Sequence, residues 1–63
     1  MEVPADLLKE LKKNKYAKAF FDKLAYTHRR EYVRWIEEAK RPETRAARVA
    51  KTIEMLKKGQ RSI

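Results

Sequence analysis

Glycine occurs once in this chain, at position 59, and proline twice, at positions 4 and 42. A sheet is made of strands joined by many tight turns, and those turns draw on glycine, asparagine and proline for their backbone geometry. So little punctuation in 63 residues argues against a sheet and predicts a few longer segments instead. Lys, Glu, Ala, Arg and Leu supply those segments, and all five are good helix formers. The expected fold is all-α, a small bundle of three to four helices forming one domain over residues 1–63, with 60–63 a frayed tail.

The apolar spacing divides the chain. A first helix follows Pro4, with Asp6 in its favourable first turn and Leu7, Leu8 and Leu11 on one face. Asn14 is placed to cap a second helix, because its side chain can accept from unpaired backbone N–H groups. There Ala17, Phe20, Phe21 and Leu24 recur at i, i+3, i+4 and i+7, one buried stripe. Thr27 is the expected cap of a third helix running to about Lys40, with Tyr32, Val33, Trp35, Ile36 and Ala39 inward. Arg34 can reach Glu38, and Glu37 can reach Arg41, on its outer face. A fourth helix opens at Pro42 and stops at Gly59, with Ala46, Val49, Ala50, Ile53 and Leu56 as its inner stripe.

A chain this short buries only about 60 % of the surface its unfolded form exposes, so its stability rests on good helix packing or on self-association. One exposed ring of the Phe20–Phe21 pair would offer a homo-oligomer contact. Without cysteine there are no disulfides or thiolate metal ligands, and His28 is the only histidine, so no metal or cofactor is expected. No apolar run is long enough to span a membrane or to serve as a secretory signal, which points to the cytoplasm. A nucleophile–base pair, a glycine-rich phosphate loop and a metal set are all lacking, so the expected role is not that of an enzyme.

The net charge of +8 is the strongest functional signal, since it attracts polyanions of any kind. Residues 42–63 carry six Lys and Arg against Glu43 and Glu54, a balance of +4 in about a third of the chain.

The run His28-Arg29-Arg30-Glu31-Tyr32-Val33-Arg34-Trp35-Ile36, then Ala39-Lys40, Glu43-Thr44-Arg45 and Arg48, resembles the helical domain of the YdeI/OmpD-associated family of bacteria and archaea. The stretch from Val3-Pro4-Ala5-Asp6-Leu7 through Phe20-Phe21 to Tyr26 resembles the segment that precedes it there. The resemblance implies an accessory or protein-interaction module linked to bacteriocin protection and the cell envelope. It brings no enzymatic reaction and no catalytic residues.

Two readings compete for the basic residues. Lys40, Arg41, Arg45 and Arg48, extended by Arg30 and Arg34, could form an anion or partner site near the start of the fourth helix, where arginine forks grip carboxylates or phosphates. Alternatively, Arg45 and Arg48 pair internally with Glu37, Glu38 or Glu43 and fix the helix angle. A nucleic-acid module would use the last helix as a reader, with Thr44, Arg45, Arg48 and Lys51 facing outward. Glu37, Glu38 and Glu43 oppose that by repelling phosphates at the same turn. Trp35 is expected in the core rather than as an exposed partner anchor. Membrane-surface binding is disfavoured, because the last helix has no aromatic residue on its apolar side.

Overall fold

A computed structural model describes residues 3–61. Four helices follow one another: α1 (Ala5–Lys13), α2 (Lys15–Lys23), α3 (Tyr26–Glu37) and α4 (Pro42–Lys57). Among the described residues there is no strand. The radius of gyration is 10.4 Å, against about 10.6 Å expected of a folded chain of this length.

The joints follow from single residues. Asn14 takes an extended conformation (φ −131°, ψ 93°) and its side chain accepts from the Ala17 N–H at 3.2 Å. It therefore ends α1 and caps α2 in one step. Between α2 and α3, Leu24 and Ala25 are extended and Leu24 is buried. Once Leu24 has turned into the core the chain is free to coil again, so α3 begins at Tyr26. Thr27 is then already inside the first turn and caps nothing; Ala25 is the cap residue and offers no side-chain acceptor.

The other end of α3 also comes early, at Glu37 rather than Lys40. The Ala39 N–H bonds the Ile36 carbonyl at 3.1 Å and tightens the last turn. Pro42 opens α4 as expected. At the far end Gly59 has φ +77°, its N–H bonds the Leu56 carbonyl and the Gln60 N–H bonds the Met55 carbonyl, both at 3.0 Å. These two reversed bonds form a Schellman close, which favours glycine because its middle residue is left-handed. Gln60, expected to fray, is thereby held. Residues 62 and 63 of the expected tail lie outside the described residues.

α4 is the common wall: it packs against α1, α2 and α3, and α1 also packs on α2. Leu7, Leu11, Ala17, Phe21, Leu24, Tyr32, Val33, Ile36, Val49, Met55 and Leu56 form the core, with Phe20, Trp35 and Ile53 packed against it and half-buried. The inner stripe of α4 differs from the expected one. Ala46 and Ala50 are exposed, while Thr52 and Met55 are buried. A wall shared by three helices must bury a wide arc, and the large side chains of α3 draw that arc towards Thr52 and Met55. The Thr52 hydroxyl enters the core satisfied, donating to the Arg48 carbonyl one turn back at 2.8 Å.

Candidate binding surfaces

The six basic residues singled out by sequence separate into three groups. Arg45 and Arg48 lie one turn apart on α4 and reach different neighbouring helices. Arg45 reaches α1, where Nε donates to Asp6 Oδ2 at 2.6 Å and Nη2 donates to Oδ1 at 3.3 Å. Asp6 also accepts from the Leu7 N–H at 3.0 Å. The Arg45 bond, with the Leu7 N–H and the arginine charge, holds the Asp6 carboxyl below its ordinary range, against a smaller opposing effect of burial. The same bond raises the Arg45 pKa further. Beside this pair an open groove of about 440 Å³ runs between α1 and α4, with Pro42, Ala46, Val49 and Ala50 along it.

Arg48 reaches the other way, to α3. Its Nη1 donates to the Trp35 carbonyl at 2.7 Å, and its guanidinium carbon lies 5.2 Å from the Trp35 ring centroid. The bond has a specific use. In an unbroken helix the Trp35 carbonyl would accept from Ala39, but the Ala39 N–H has gone to Ile36. Arg48 supplies the missing donor, and its charge suits the negative end of α3.

Lys40 and Arg41 form the second group. Both are exposed in the turn between α3 and α4, and among the described residues neither has an ion-pair partner. The Arg41 carbonyl starts α4 by accepting from the Arg45 N–H at 2.9 Å, which leaves the side chain uncommitted. Arg30 and Arg34 make up the third group, one turn apart on the exposed face of α3. Arg34 lies 3.7 Å from Glu38, a pair screened by solvent on both sides.

Internal pairing of Arg45 and Arg48 is thus present, but with other partners than the sequence suggested. Glu37 exerts a small electrostatic pull on Arg45 without bridging it, Glu43 forms no bridge with any described residue, and the expected Glu37–Arg41 contact is absent among them. Asp6 was the residue missed: its partner is 39 positions away, and its place in a first helical turn already gave it a local explanation. Trp35 is half-buried rather than fully in the core, and among the described residues the exposed large apolar side chains are Tyr16 and Tyr26.

Among the described residues no cluster of His, Asp and Glu could hold a metal ion, and no helix is long and apolar enough to cross a membrane. Neither a curated protein nor a solved structure matches the chain. One family does, described as bacteriocin-protection, YdeI or OmpD-associated, over residues 1–59. With residues 1–59 of the 63 matched, the protein belongs to the OmdA family.

Proposed function

We propose that this chain is a non-enzymatic protein-interaction module that takes an acidic partner surface on the turn between α3 and α4. The observation that carries the reading is the contrast between locked and free arginines. Arg45 and Arg48 are spent on Asp6 and Trp35, so they brace α4 against its neighbours. Lys40 and Arg41 are exposed and unpaired on that braced turn, with Arg30 and Arg34 as an extension along α3.

A helix reading DNA would need Arg45 and Arg48 facing outward. The free cations also stand among Glu37, Glu38 and Glu43, all exposed. That mixture repels a continuous phosphate backbone but can accommodate a protein surface whose acidic residues are spaced to meet Lys40 and Arg41 and to miss the glutamates. The family description, which speaks of bacteriocin protection and OmpD association, is compatible with such a role.

The test is fluorescence anisotropy with a labelled Glu- and Leu-rich peptide, a short DNA duplex and a single strand, at physiological salt. The acidic peptide should bind wild type and the Lys12→Ala variant alike, and lose most of its affinity for Lys40→Glu/Arg41→Glu. Tighter binding of either nucleic acid at that salt, abolished by the same double variant, would replace this reading with the nucleic-acid one.

A further inference from the structure

A second cationic site lies at another corner of the molecule, where α2, α3 and the segment after α4 meet. An open pocket of about 400 Å³ is lined by Phe20, Lys23, Leu24, Ala25, His28 and Arg61. Three of the six linings carry or can carry positive charge, and none is acidic. Of the nearest acids in sequence, Asp22 accepts from Lys18 at 2.8 Å, while Glu31 lies 3.2 Å from Nδ1 of His28, where it orients the ring and offsets part of any charge it carries, leaving Lys23 and Arg61 as the main cations. His28 Nε2 has no partner among the described residues. Half-buried Phe20 and buried Leu24 supply the apolar lining.

The third cation is delivered there by the fold. Tyr32 is fully buried, and its hydroxyl donates to the Gln60 carbonyl at 2.6 Å. With the Schellman close at Gly59, this bond holds Gln60 through both its N–H and its carbonyl, and the next residue, Arg61, lines the pocket. A hydroxyl buried in the core and spent on the segment after the last helix makes the pocket part of the folded architecture.

We infer that this corner pocket binds a small organic anion, a carboxylate or phosphate group carried on an apolar body. Lys23, His28 and Arg61 take the anionic oxygens, with the arginine fork able to make two parallel bonds. Phe20 and Leu24 cover the apolar part. The site is separate from the α3–α4 turn and does not depend on what that turn binds.

NMR titration of the ¹⁵N-labelled chain tests it, with benzoate, phenyl phosphate, inorganic phosphate and benzyl alcohol as probes. Saturable shifts should gather at Lys23, Leu24, Ala25, His28 and Arg61. At least one aromatic anion should bind roughly fivefold tighter than inorganic phosphate or benzyl alcohol, the equivalent of about 1 kcal/mol. Whichever of the two aromatic anions binds tighter names the headgroup. Arg61→Ala should weaken binding by a similar factor, and so should Tyr32→Phe with its helical circular dichroism intact. Lys40→Ala/Arg41→Ala should leave the affinity unchanged. Inorganic phosphate binding as tightly as phenyl phosphate would overturn the proposal. So would shifts spread along every basic face, or an Arg61→Ala variant that binds like wild type.

Discussion

Arg45 and Asp6 are joined by two hydrogen bonds across 39 positions of sequence, and the pair ties the first helix of the bundle to the last. Both side chains remain about a third or more exposed, so salt screens the attraction and its worth lies in geometry as much as in charge. The pair also sets the acid limb of stability. A carboxylate held below its ordinary range stabilises the fold above the unfolded pKa of about 4, and that contribution fades as pH falls through the lowered folded value. Thermal melts from pH 6 to pH 2 should show a flatter acid decline for Asp6→Asn than for wild type. The variant should start from a slightly lower Tm at pH 6, and a parallel decline in both proteins would refute the assignment.

The alkaline limb belongs to Tyr32. Burial is the main cause that raises its pKa, with Glu31 adding a smaller effect. The neutral hydroxyl is the stabilising form, so its contribution is complete below the unfolded value of about 10 and is lost as pH rises through the higher folded value. Tyr32→Phe should cost about 0.5–1.5 kcal/mol at neutral pH, the net worth of one hydrogen bond. Urea melts at pH 8 and above pH 10 check both statements: the gap between wild type and variant should narrow at the higher pH.

Trp35 is the only tryptophan, so its fluorescence reports directly on Arg48. Arg48→Ala removes both the stacked cation and the donor that satisfies the Trp35 carbonyl. A loss of about 1–3 kcal/mol is expected, from the carbonyl left without its partner and the lost cation–π contact. Iodide should quench the indole more strongly in the variant. Arg48→Lys keeps the charge but not the planar fork, and should recover less than half of the loss.

At the joint between α1 and α2, Asn14→Ala should cost about 0.5–2 kcal/mol, the usual range for a lost side-chain cap. Asn14→Gly should cost only a few tenths of that unit, because glycine keeps the cap conformation accessible. Equal Tm values for the Ala variant and wild type would mean that α1 and α2 can join without the cap.

Helix count, helix order and most of the core were legible because they depend on local pattern. The α2 stripe, the Asn14 cap, the Pro42 start and the Gly59 stop each use residues within a turn of one another. The misread positions depended on which side chains the assembled bundle buries. Thr27 looks like a cap until buried Leu24 starts α3 earlier. Thr52 looks like a surface residue until the bundle buries it and its hydroxyl turns back on the Arg48 carbonyl. For the basic residues, charge was legible but direction was not. Nothing in the run Arg41-Pro42-Glu43-Thr44-Arg45 says that Arg45 will find Asp6, and no local rule foresees a carbonyl at Trp35 waiting for Arg48.

Because α4 packs against each of the other three helices and is the main support of α3, the order of synthesis matters. α1 to α3 leave the ribosome first; α1 and α2 can pack on each other, but the wall they share with α3 is missing until Pro42–Lys57 follows. The nascent chain must therefore hold Phe21, Tyr32 and Ile36 in the open while the last quarter is made. This period, rather than the finished fold, is when the protein is most vulnerable to proteases and to its own neighbours. The even spread of lysines over α1 and α2 then acts as a solubilising coat for a chain still waiting for its final helix.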